Sequence, residues 1–97
     1  MAVEEQTVSI KIEIPSYLQP YTNETEVVEV SGGTVEQCLR HLVSQFPEME
    51  KVLFARSGEL FDYVSIYVNG EDIYPEELTK PIGDGDELHL LYIVGGG

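Results

Sequence analysis

From Thr7 to Ile14 the chain alternates, with Val8, Ile10, Ile12 and Ile14 on one face and Thr7, Ser9, Lys11 and Glu13 on the other. A period of two predicts a strand with one face against a core. Pro15 and Pro20 bracket a polar stretch running to Thr25, and the valine-rich Glu26 to Val30 is short enough to pair back as a second strand. Gly32-Gly33 then breaks the pattern, and Thr34 followed three residues later by Gln37 has the form of a capping box. The helix it opens carries Val35, Cys38, Leu39, Leu42, Val43 and Phe46 as one apolar stripe, with Glu36, Gln37, Arg40 and Ser44 opposite. Pro47 ends it or starts a second, short helix over Glu48 to Phe54, whose Met49, Val52 and Leu53 can close one end of the core. Tyr63 to Asn69 alternates again, with Val64, Ile66 and Val68 inward, and Asn69-Gly70 is a strong hairpin signal returning through Glu71 to Tyr74. Pro75 to Leu78 reads as a helical turn or irregular crossover. Gly83-Asp84-Gly85 is a tight turn feeding a last strand from Glu87 to Val94.

Two strands, a principal helix, an irregular section, a hairpin and a final strand predict an α+β fold, a mixed sheet with one helix packed on one face. A crossover through a helix joins parallel strands, so the first and last strands should pair in parallel at the centre. That arrangement is the ubiquitin-like β-grasp. Ninety-seven residues suffice for one such domain, taken as residues 1–94, followed by a flexible glycine tail at 95–97.

Charge narrows the functional classes. Eighteen acidic residues against five basic ones give a formal net charge of −13, which repels nucleic-acid phosphate and anionic lipid and favours a partner with a basic surface. A solubilising role accounts for the same charge equally well. Met1 to Gln6 holds two glutamates and lacks the apolar core of a signal peptide, and no later run reaches the length of a membrane span. A cytoplasmic protein is the expectation, with neither nucleic acid nor membrane as partner. The single cysteine, Cys38, sits on the apolar helix stripe and reads as a buried structural thiol. No spaced set of metal ligands is visible: His41 and His89 lie far apart, and His41 is expected on the solvent side of its helix. Asp84 and Asp86 flank a turn without the acidic loop of a calcium site. No nucleophile, base and orienting group assemble into a catalytic site.

The distinctive chemistry is at the end, where the last strand runs into Gly95-Gly96-Gly97. At an average glycine frequency of about 7%, three at a fixed position arise in roughly three of ten thousand sequences. A segment without Cβ atoms can thread a narrow channel, presenting the Gly97 carboxylate to a second protein. A carboxylate is a poor electrophile, so a partner enzyme would activate it with ATP to an acyl-adenylate open to a sulfur or nitrogen nucleophile. A flexible, frayed terminus is the alternative reading, but fraying alone supplies no cause for three successive glycines. On the sheet face away from the helix, Tyr63, Tyr67, His89, Leu91 and Ile93 should form an apolar patch that docks a partner or pairs two copies of the chain.

Asp84-Gly85-Asp86-Glu87-Leu88, followed at fixed distance by Val94-Gly95-Gly96-Gly97, resembles the turn, last strand and terminal diglycine of the MoaD/ThiS family; Gly33-Thr34-Val35-Glu36 and Val68-Asn69-Gly70-Glu71-Asp72-Ile73 add to the likeness. In that register the diglycine falls on Gly96 and Gly97, with Gly95 where a small residue is usual. Tyr92-Ile93 is similar to the thiamine branch, whereas the length and middle section resemble the molybdopterin branch. The resemblance implies a non-catalytic sulfur carrier, most like the small subunit of molybdopterin synthase. A ubiquitin-activating-type enzyme would adenylate it at Gly97 and convert it to a thiocarboxylate, from which a synthase large subunit or another sulfur-accepting enzyme would take sulfur. No bound cofactor is implied, ATP being used by the activating enzyme. A thiamine-type carrier and a ubiquitin-like modifier conjugated through Gly97 are the alternatives.

Overall fold

The computed structural model describes residues 9–61, 63–74 and 76–92. Its strands are β1 (Ile10–Glu13), β2 (Val27–Val30), β3 (Val64–Val68), β4 (Glu71–Asp72) and β5 (Glu87–Tyr92), and its α-helices are α1 (Val35–Gln45) and α2 (Met49–Leu53). The sheet order is β2-β1-β5-β3-β4, with β1 and β5 parallel at its centre and the other neighbours antiparallel. The central parallel pair demanded by the helical crossover is therefore present. One face carries α1, and the core between them holds Ile10, Ile12, Leu39, Leu42, Ile66, Leu88 and Leu90, all essentially inaccessible to solvent.

The strand bounds are narrower than the alternation predicts. Thr7 and Val8 lie outside the described residues, as do positions 93 and 94 at the other end. Tyr63 sits in the turn before β3 instead of on the strand, and its ring stacks on Phe61 with centroids 5.0 Å apart. Between β1 and β2 the sequence suggests a loop, but Ser16–Thr22 forms a 3₁₀-helix. Its buried Leu18 plugs the core, and the Thr22 hydroxyl donates to the Thr25 carbonyl at 3.0 Å.

α1 begins as the capping box requires, with one substitution of partner. Thr34 Oγ1 accepts from the Gln37 amide at 3.2 Å, while Gln37 Oε1 accepts from the amide of Gly33, not that of Thr34, at 2.7 Å. The next two amides, of Val35 and Glu36, donate to the carbonyls of Lys80 and Leu78, so the crossover segment seals the helix start. Gly32 is required by contact, since a Cβ there would lie 2.8 Å from Gln37 Cβ. Asn69 and Gly70 both have positive φ, 51° and 87°, the backbone of the tight hairpin their sequence announces. His41 is half-buried, contrary to the solvent-facing expectation: its Nδ1 accepts from the Ser31 amide at 2.9 Å, tying α1 to the end of β2. Cys38 is buried as expected, and burial pushes its thiol up to about 11, far from reactivity at neutral pH.

Candidate functional site

The turn preceding β5 is heavily hydrogen-bonded to its surroundings. Asp84 Oδ1 accepts from the Ser9 amide at 2.7 Å, and the Gly85 amide donates to the Ser9 carbonyl at 3.0 Å, fixing the turn to the chain entering β1. Asp86 accepts from the Gly83 amide at 2.8 Å and from Asn69 Nδ2 at 3.0 Å, bonds that hold its carboxyl below the usual carboxylate range. Asn69 Oδ1 in turn accepts from the Glu87 amide at 3.0 Å. Two acidic residues around a glycine thus do structural work: they set the position and direction of β5 at its first residue.

β5 then runs between β1 and β3, with Leu88 opposite Ile12 on one side and Val68 on the other. Leu91 faces Ser65, and Tyr92 faces Val64. Tyr92, the last described residue, thus marks the outlet of the described chain at that end of β3. Phe61, Val64, Ser65, Asp72 and Tyr74 contribute to an open cleft of about 420 Å³ beside this outlet. Gly95, Gly96, Gly97 and Ile93, four of the residues singled out from the sequence, lie outside the described residues.

The remaining patch residues are placed on or beside the face opposite α1, but the surface is not uniformly apolar. Tyr67 and His89 are half-buried register partners, Leu91 is 42% exposed, and Tyr63 flanks them from the preceding turn, 43% exposed. Across the sheet the same face carries Lys11, Glu13, Glu29 and Glu87, all exposed. The alternation of β1 and β2 puts those charges outward for the same reason that it puts Ile12 and Val28 inward. The result is a face with an apolar end next to the outlet and an acidic end on β1 and β2. Sequence reasoning followed β3 and β5 and missed that their apolar side chains share a surface with the charged half of β1.

The face also brings together Glu13, Glu87 and His89, whose ligand-type atoms all lie within 4.8 Å of one another. His89 Nε2 is 3.4 Å from Glu13 Oε1. Glu87 and His89 stand two residues apart in the sequence, but the third member stayed concealed because Glu13 and His89 meet only through the parallel pairing of the first and last strands.

The profile of the ThiS family matches residues 12–97. The chain belongs to this family. It is 33% identical over 92 residues to the sulfur carrier protein CysO of Mycobacterium tuberculosis, covering 92% of this chain and 99% of that protein. It is 39% identical over 71 residues to the small archaeal modifier protein 1 of Haloferax volcanii, covering 72% and 78%. In structure it is similar to a chain of the Amycolatopsis orientalis BexX/CysO complex, with a TM-score of 0.81 and 29% identity, covering 91% of this chain and 99% of that one. The crystal structure of the Haloferax volcanii modifier gives a TM-score of 0.80 at 30% identity, covering 92% and 99%. The ubiquitin-like β-grasp is thereby shown, and the chain is a member of a family of small sulfur carriers and ubiquitin-like modifiers. Among the described residues no helix is long and apolar enough to cross a membrane.

Proposed function

We propose that this ThiS-family chain is a cosubstrate whose Gly97 carboxylate is adenylated by a partner enzyme and converted to a thiocarboxylate that donates sulfur. The observation that carries the reading is β5, tied at its start by Asp84, Asp86 and Asn69 and followed in the sequence by Gly95-Gly96-Gly97. The likeness to a sulfur carrier protein over 92% of the chain supports it. In the first step the carboxylate attacks the α-phosphorus of ATP and pyrophosphate leaves. In the second, sulfide attacks the acyl carbon and AMP leaves, giving the thiocarboxylate directly. The chain supplies the acyl group and the docking surface; the partner supplies the charge-stabilising groups, and Gly95 and Gly96 pass through its channel. The first acceptor to assay is the molybdopterin precursor implied by the sequence resemblance.

Incubating the full-length chain with a ubiquitin-activating-type enzyme, ATP and a sulfur source should give, by intact-protein mass spectrometry, the gain that replaces one terminal oxygen by sulfur. An unchanged mass with a competent enzyme overturns the reading. The likeness to a small archaeal modifier favours a second outcome at the same acyl-adenylate, attack by a lysine amine, which would appear as higher-mass conjugates in cell extract.

Docking on the apolar end of the outer face makes its own demand. On this reading the partner covers Tyr67 and Leu91, and Leu91→Ala should weaken binding to the activating enzyme by roughly tenfold, measured by calorimetry.

A further inference from the structure

We infer that Glu13, Glu87 and His89 form a binding site for a zinc-class divalent cation on the outer face of the sheet. Glu87 and His89 are two residues apart on β5 and point to the same side, and Glu13 is the register partner of His89 on the adjacent parallel strand. This placement, two ligands at i and i+2 on one strand and a third across the ladder, converges three side chains without any loop to hold them. Their ligand atoms lie within 4.8 Å of one another, and among the described residues this is the one such group despite the acidity of the chain. Ligands held tetrahedrally by zinc at about 2.0–2.2 Å lie about 3.3–3.6 Å apart, a spacing that His89 Nε2 and Glu13 Oε1 already have at 3.4 Å. Small rotations of the exposed glutamate side chains close the difference.

Glu13 Oε1 lies 3.4 Å from His89 Nε2 and a Glu87 carboxylate belongs to the same group, whereas His89 Nδ1 is buried and has no hydrogen-bond partner among the described residues. Nε2 is the nitrogen directed at Glu13 and available as a ligand. Lys11, opposite Glu87 in the ladder, faces the same surface but forms no ion pair among the described residues. One imidazole and two carboxylates suit zinc, cobalt or iron(II) better than magnesium or calcium, which prefer oxygen alone. Three protein ligands leave a coordination position for water or for a donor atom of another molecule.

The test uses the untagged full-length chain and the metal alone. Titration with Co²⁺, followed by its visible absorption, and with Zn²⁺, followed by calorimetry, should each saturate at one equivalent. His89→Gln and Glu87→Gln, checked for an unchanged unfolding transition, should each weaken binding by roughly tenfold or more, and Glu50→Gln on the exposed side of α2 should leave it unchanged. Absence of saturable binding overturns the site. So does binding that both variants retain within twofold, since that describes diffuse attraction to an acidic surface. Neither readout involves the tail, so the result stands apart from the sulfur-transfer reading.

Discussion

Deleting Gly96 and Gly97 should reduce thiocarboxylate formation by a factor of about one hundred or more while leaving the melting temperature within a degree or two. Among the described residues the buried core ends at Leu90, three residues before the first position outside the structure described, so the deletion removes no described core contact. The shortened chain still ends in a carboxylate, now on Gly95, and the chemistry available to that group is the same. What changes is its reach. Two extended residues span about 7 Å, and a reacting atom must come within about 3–3.5 Å of its partner. A carboxylate held short by that distance cannot meet the α-phosphorus of ATP without dragging the docked domain into the partner. Loading is measured by intact mass after incubation with the activating enzyme, ATP and a sulfur source, with a thermal melt run in parallel. Normal loading of the truncated chain would remove the basis for assigning the acyl group to Gly97.

The sequence makes some of these features visible and hides others for identifiable reasons. Ile10, Ile12, Val28 and Val30 announce their strands because one face of the sheet is covered and the other is not. Thr34 and Asn69-Gly70 announce a helix start and a hairpin because each answers a local need, an orphan amide or a positive φ. The 3₁₀-helix at Ser16–Thr22 carries no such mark: Pro20 lies inside it, and a single buried Leu18 sets no period. His41 escapes because its partner, the Ser31 amide, belongs to a segment whose path depends on the whole β2–α1 connection. Ser65 is buried on the outer side of β3, where alternation alone leaves it exposed. The candidate site divides in the same way. The glycine tail is legible as composition, whereas the acidic half of the docking face and the Glu13–Glu87–His89 group exist only once β1 lies against β5.

That central pairing can be tested with two leucines three positions apart. Leu88 is fully buried on β5, flanked in the ladder by Ile12 and Val68, and Leu91 on the same strand is 42% exposed on the opposite face. Leu88→Ala removes apolar contact and leaves a cavity that two neighbouring strands, fixed by their hydrogen bonds, are poorly able to fill, at a cost of about 2–5 kcal/mol. A domain of this size has only about 5–15 kcal/mol to lose, and at about 4–8 °C per kcal/mol the midpoint should fall by roughly 10 °C or more. Leu91→Ala should change stability by less than about 0.5 kcal/mol and act instead on partner binding. Urea unfolding of both variants, with calorimetry against the activating enzyme, separates the two effects. Equal stability losses at the two positions would mean that β5 does not present its alternate residues to opposite faces, and the docking surface built on that alternation would go with it.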